Sequence, residues 1–172
     1  DSLRSVFERF DLEGGDRVWV DSGRYLDTDT IVVGMKNSGT TSQPVRVIGN
    51  TNQPYRATVL ARTARTIGSS VFQIAQAGGI HLEALAISNA WTGIQIDTTG
   101  KAVLERVRVV ACGTNAVQVG AAATMELNRS ILEQSLASGL HTFTGATVQV
   151  RHSFIRNNNK AGLFFRGGNV EV

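Results

Sequence analysis

The chain has 172 residues, of which 42% are hydrophobic, and it contains 18 glycines but only 2 prolines. This composition is typical of a folded, turn-rich protein and excludes a disordered one. No apolar run approaches the roughly 18 residues that a membrane-spanning helix needs, so we expect no membrane span. The single cysteine, Cys112, excludes an internal disulfide and a metal site built from several cysteines.

The charge is modest but unevenly distributed. The formal net charge is +3, which allows an anionic partner without requiring one. Beyond Asp97 the only acidic residues are four glutamates, Glu105, Glu126, Glu133 and Glu171. The C-terminal half of the chain is therefore basic.

The first segment has the pattern of an amphipathic helix over residues 2–13. Leu3, Val6, Phe7 and Phe10 recur at the spacing of one helical face. Ser2 is a suitable N-cap, and a glycine at position 14 is a suitable stop. Such a helix would cover the first end of a stacked apolar core.

Residues 14–77 predict less regular strands. An alternating segment begins at residues 15–20 and ends over 21–25, and further strands are expected at 30–33, 44–48 and 58–60. We interpret this region as irregular early coils.

A repeat becomes regular from residue 78 onward. One pattern, with apolar residues at its first, third, sixth and eighth positions, begins at Ile80, Ala102, Met125 and Val148, a step of about 23 residues. One extra residue separates the two halves of each copy and is expected to bend the chain: Ala84, Arg106, Arg129 and His152. Period-two alternation over such short stretches predicts strands rather than helices.

A second, shorter pattern follows each copy. It begins at Gly93, Ala116, Gly139 and Gly162, again with a constant step of about 23 residues, and residues 71–74 resemble an earlier copy. Three short strands per coil, with coils stacked on each other, predict a single all-β domain over residues 1–172: a right-handed parallel β-helix with about 23 residues per coil. Residues 170–172 resemble the first strand of a further coil. We therefore expect continuation of the natural chain, or association with another chain, at this uncapped end.

Two segments carry a family resemblance, GDRVWVDSGRY at residues 15–25 and NSGTTSQPVRVIG at 37–49. With the opening helix, they make the whole chain resemble the N-terminal part of pectate-lyase-like right-handed β-helix proteins. The resemblance implies a secreted or cell-surface protein. The family includes polysaccharide lyases and uronate epimerases. The two segments are specific for its architecture rather than for an activity.

If the apolar positions point inward, the remaining positions form outward ladders about 4.8 Å apart. The four ladders are Glu83, Glu105, Asn128 and Arg151; Ala84, Arg106, Arg129 and His152; Ala86, Arg108, Ile131 and Phe154; and His81, Val103, Glu126 and Gln149.

These ladders allow two interpretations. The first is a groove for an acidic polysaccharide, in which Arg106, Arg108, Arg129, Arg151 and His152 bind or deprotonate uronate groups. Glu83 and Glu105 would then be candidate Ca²⁺ ligands, although two carboxylates are few for Ca²⁺. The second is an ordinary solvated face on which adjacent arginines neutralise the glutamates.

Two functions follow from these interpretations. We favour a β-helix module of a larger secreted or surface protein that binds carbohydrate or serves as a rigid scaffold. The alternative is a polysaccharide lyase or uronate epimerase acting on acidic polysaccharide. Aromatic residues make up only 6% of the chain, which leaves few stacking platforms for bases, so we do not expect a nucleic-acid partner.

Overall fold

The computed structural model describes residues 2–172, which fold almost entirely as short β-strands. A helix, α1 (Leu3–Arg9), opens the chain, and a single 3₁₀ turn spans Met35–Asn37. The strands follow in chain order: β1 (Arg17–Trp19), β2 (Gly23–Asp27), β3 (Ile31–Val33), β4 (Val45–Ile48), β5 (Thr58–Arg62), β6 (Ser70–Ile74), β7 (Ile80–Glu83), β8 (Ala86–Ser88), β9 (Thr92–Ile96), β10 (Lys101–Glu105), β11 (Arg108–Val110), β12 (Val117–Val119), β13 (Thr124–Asn128), β14 (Ile131–Glu133), β15 (Ser138–Thr142), β16 (Thr147–Arg151), β17 (Phe154–Arg156), β18 (Ala161–Phe165) and β19 (Asn169–Glu171).

Every third strand belongs to the same sheet, and all pairings are parallel. Sheet A has seven strands (β1, β4, β7, β10, β13, β16, β19), and sheets B and C have six each, beginning with β2 and β3. A coil is one passage through the three sheets. This arrangement confirms the predicted parallel solenoid, including the expected strand at its last residues, because β19 pairs with β16.

The register follows the sequence repeat. Ile80 pairs with Ala102, and Ala102 pairs with Met125, so each later coil takes one repeat of the sequence, as predicted. The early coils are longer. The step from Tyr25 to its register partner Leu60 exceeds the later repeat, because a loop at residues 49–57 separates β4 from β5.

The predicted inward positions form one continuous core. Leu82, Leu104 and Leu127 stack in sheet A with no exposed surface, and Ile94 and Val117 do so in sheet C. Burying such side chains contributes roughly 1.5–3 kcal/mol each, so stacking of coils is the main source of stability.

The corners between sheets use left-handed backbone. The four predicted bending residues Ala84, Arg106, Arg129 and His152 all have positive φ, between 47° and 55°. A second set recurs at the next corner, Asn89, Ala111, Gln134 and Asn157, with φ between 54° and 58°. One left-handed residue turns the strand direction without a long loop, which keeps the length of the later coils nearly constant.

The helix is shorter than predicted, because it ends at Arg9 rather than near residue 13. Ser2 caps it as expected, accepting from the backbone N–H of Ser5 at 3.4 Å. At the other end Phe10 is extended, and the buried Asn37 side chain donates to the carbonyl of Phe7 at 2.6 Å and accepts from the N–H of Leu12 at 3.2 Å. This amide diverts the chain out of the helix, and Phe10 stays exposed while Leu3 and Phe7 cover the core.

The corner conformation generates a prediction at His152, which is exposed and has a φ of 50°. His152→Val should lower the free energy of unfolding by about 1 kcal/mol, because a β-branched residue resists left-handed backbone, whereas His152→Gly should not lower it. Urea unfolding measures both changes. Thr147→Val, at an exposed strand position, is the control, and an equal loss there would contradict the explanation.

Candidate functional site

Two glutamates on neighbouring sheets are each held between two arginines. On sheet A, Glu83 (7% exposed) accepts from Arg46 of the preceding coil and from Arg106 of the following one, one guanidinium for each carboxylate oxygen. Each group of three side chains carries a net charge of +1.

The second such group lies on sheet B. Glu133 (4% exposed) accepts from Nε of Arg108 at 2.8 Å and from Nε of Arg156 at 3.0 Å, with Arg108 Nη2 at 2.7 Å. Arg108 and Arg156 come from the coils before and after β14, so this carboxylate joins three coils.

The arginines determine the ionisation of both glutamates. Burial alone would raise the pKa of Glu83, but hydrogen bonds from Arg106 and Arg46 outweigh it and hold the pKa below its usual value. Burial also raises the pKa of Glu133, but the hydrogen bonds from Arg108 and Arg156 lower it by more, so the pKa lies below its usual value. Both carboxylates are therefore charged at neutral pH.

The other predicted site residues are spread over sheet A and its corner with sheet B. Arg129 lies at that corner and donates to Glu105 at 3.2 Å. Arg151, at the end of β16, donates to Gln149 at 3.3 Å, and His152 lies exposed at the corner. Arg108 alone among the predicted arginines faces outward from sheet B. The structure thus pairs three of the predicted arginines, Arg106, Arg108 and Arg129, with glutamates, whereas Arg151 contacts an amide, and the predicted residues do not form one open row.

Glu83 and Glu105 are register partners in β7 and β10, as the ladder predicted. Their contacts do not fit a Ca²⁺ ion, because guanidinium groups take both oxygens of Glu83 and one of Glu105. Across residues 2–172, no group of three or more His, Cys, Asp or Glu side chains is arranged to hold a metal.

A depression beside these residues lies under loop 49–57. This arginine cleft has a volume of about 480 Å³ and is lined by Asn52, Gln53, Pro54, Tyr55, Arg56, Arg108, Ile131, Glu133 and Arg156. Its roof is fixed at Tyr55, whose hydroxyl donates to the backbone carbonyl of Arg129 at 2.6 Å. Tyr55 has a φ of 76°, which bulky residues rarely adopt, so this contact fixes a loop conformation of intrinsically low preference.

The arginine cleft combines positive charge with an apolar wall. It holds three guanidinium groups and one carboxylate, and Arg56 is exposed, with no acidic partner among residues 2–172. Phe154, the register partner of Ile131, is 63% exposed beside the cleft, and the Arg156 guanidinium lies 6.0 Å from its ring centroid. This arrangement can bind an anionic group next to an apolar face.

Sequence reasoning missed Tyr55, Arg56, Glu133 and Arg156 as members of the site. Glu133 and Arg156 were detectable from the repeat. Each lies two positions after a residue of one predicted ladder, Ile131 or Phe154, and therefore on the same face of its strand. Tyr55 and Arg56 were not, because they lie in a loop outside the repeat.

The remaining titratable groups are poor candidates. Burial raises the pKa of the Cys112 thiol to about 12, so this residue is not a nucleophile at neutral pH. His81 lies on sheet A and His141 on sheet C. In the part of the chain that the structure describes, no helix has the length and apolar character of a membrane span.

Comparison with known proteins identifies the architecture. Residues 92–172 match a family model described as a right-handed β-helix region. The match covers the later coils, so it supports a right-handed β-helix over those residues, while the three parallel sheets show that the described chain is a parallel β-solenoid. Neither a curated protein nor a solved structure matches it. The match names no activity, so pectate-lyase-like function, carbohydrate binding and secretion remain proposals.

The lowered pKa of Glu133 generates a prediction on pH. At pH values above the usual pKa of 4.5, the charged Glu133 keeps its two arginine contacts, which stabilise the folded state. This stabilisation is lost as the pH falls through the lower pKa of the folded state. Glu133→Gln should therefore cost about 1–2 kcal/mol at pH 7, a value discounted because both guanidinium groups remain partly in solvent.

Urea unfolding of both proteins between pH 7 and pH 3 measures this effect. The two stability curves should converge as the pH falls, since the native glutamate loses its charge. Glu126→Gln, on the half-buried face of β13, is the control. Parallel curves for Glu133→Gln and the native chain would show that the charged Glu133 carboxylate does not stabilise the fold through its arginine contacts.

Proposed function

We propose that this chain is a β-helix module that binds an acidic polysaccharide in the arginine cleft. The observation that carries the proposal is the imbalance of charge there, three guanidinium groups against one buried carboxylate. Two of the arginines are oriented by Glu133, whereas Arg56 brings its charge to the cleft from a loop that Tyr55 fixes.

The chemistry of the cleft suits a uronate sugar. A guanidinium group can bind a carboxylate through two parallel hydrogen bonds, and Arg56 and the remaining donors of Arg156 supply them. Arg156 follows Phe154 by two residues on the same face of an extended strand, a separation of about 6–7 Å. A sugar ring packed beside Phe154 would therefore place its carboxylate near Arg156.

The coils supply a rigid support for such a site. Arg108, Ile131 and Arg156 lie on three successive strands of sheet B, so their positions are fixed by the parallel register. A secreted or cell-surface location belongs to the proposal, because acidic polysaccharides are found there. Without binding, the same structure would serve as a rigid scaffold.

Affinity electrophoresis in gels containing polygalacturonate tests the proposal. Arg56→Gln should weaken retention about tenfold, which corresponds to about 1.4 kcal/mol, because it removes the guanidinium that has no acidic partner among the described residues. Arg166→Gln is the matched control, since it removes an exposed arginine that lies over Phe143, outside the cleft. Equal effects of the two substitutions, or no retention of the native chain, would overturn the proposal.

The alternative of a polysaccharide lyase is tested on the same samples. A lyase would release unsaturated uronates, whose ultraviolet absorbance would rise with time. We expect binding without this rise. An epimerase would instead change the stereochemistry of the uronates in the recovered polysaccharide.

A further inference from the structure

Trp19 is the most exposed aromatic side chain of the first coil. Its exposed fraction is 68%, although a large aromatic residue normally gains from burial. It lies on the outer face of β1, while the neighbouring Val18 packs against the core. Val18 therefore contributes to the core, and the indole of Trp19 remains available at the surface.

A cleft adjoins this indole. The Trp19 cleft has a volume of about 320 Å³ and is lined by Trp19, Val20, Asp21, Ser22, Gly49, Asn50 and Thr51. Its floor comes from the end of β1, and its side comes from the first residues of loop 49–57. The same loop lines the arginine cleft with residues 52–56, so one insertion forms part of both clefts.

The polar groups of the Trp19 cleft are held in place by the protein. Asn50 donates to the hydroxyl of Ser22 at 2.8 Å and accepts from the backbone N–H groups of Asn52 and Gln53. One oxygen of Asp21 accepts from the N–H of Ser22 at 2.7 Å. Within residues 2–172, the second oxygen of Asp21 has no donor, and it is available to a ligand.

We propose that the Trp19 cleft is a second saccharide site, which takes an uncharged sugar. The apolar face of a sugar ring would stack on the indole, and its hydroxyl groups would donate to Asp21 and exchange hydrogen bonds with Ser22 and Thr51. Among residues 2–172, the only charged group lining the cleft is the carboxylate of Asp21, which repels uronates and accepts from hydroxyl groups. The proposal is independent of the arginine cleft.

Tryptophan fluorescence tests this site directly. The chain has two tryptophans, so Trp91→Phe leaves Trp19 as the single reporter. Hexasaccharides of glucose, xylose, mannose and galactose are titrated into this variant. At least one should shift the emission to shorter wavelength in a saturable manner, because stacking removes water from the indole. No shift with any of the four would overturn the proposal.

Two comparisons distinguish this site from others. Asp21→Ala should weaken the binding of the active hexasaccharide at least tenfold, whereas Asp11→Ala, at an exposed position away from the cleft, should leave it unchanged. A hexamer of galacturonate should shift the Trp19 emission much less than the neutral sugar. Equal shifts, or equal affinities of the two aspartate variants, would overturn the proposal.

Two further controls keep the test independent of the variant's folding and of the arginine cleft. Calorimetric titration of the native chain and of Trp19→Ala needs no change at Trp91, and binding heat that persists in Trp19→Ala contradicts the site. Arg56→Gln should bind the neutral hexasaccharide as tightly as the native chain. The failure of one proposal is thereby distinguished from the failure of the other.

Discussion

The stacking of each coil on the previous one in parallel register determines both the core and the surface of this protein. No coil can bury its apolar positions alone, so Leu82, Leu104 and Leu127 become a core only when their strands pair. Left-handed corner residues such as Arg129 turn the chain within a single residue, and the resulting near-constant coil length keeps like positions above one another. The same register therefore aligns the outward side chains into ladders.

Those ladders make charge pairing an interaction between coils. Glu83 and Glu133 each join the coil before and the coil after their own strand through two arginines. Most arginines of the basic half are thus paired with glutamates of the scaffold, and the proposed binding would use arginine donors that these pairs leave free. The loop at residues 49–57, which lies outside the repeat, adds Arg56 and Tyr55 above a regular wall and lines both clefts.

The sequence predicted most of the fold, because alternation and a fixed period are direct consequences of burial in stacked strands. Even the bending residues, such as Arg106, were found from their place in the pattern. The helix was predicted too long, because the buried Asn37 that ends it lies far along the chain. Among the residues that line the arginine cleft, Arg108 was predicted as a binding candidate. Arg56 could not be predicted, because no periodicity places a loop over a sheet. The pairing of Glu83 with two arginines favours the interpretation of neutralised glutamates on sheet A.

A backbone-amide chemical-shift titration with trigalacturonate would locate binding in the arginine cleft residue by residue. We expect the largest changes at residues 52–56, at Arg108, at Ile131 and Glu133, and from Phe154 to Arg156. These are the residues of the arginine cleft and its apolar wall. Changes confined to the outer face of sheet A around Glu83 and Glu105, or no saturable change at all, would contradict this expectation.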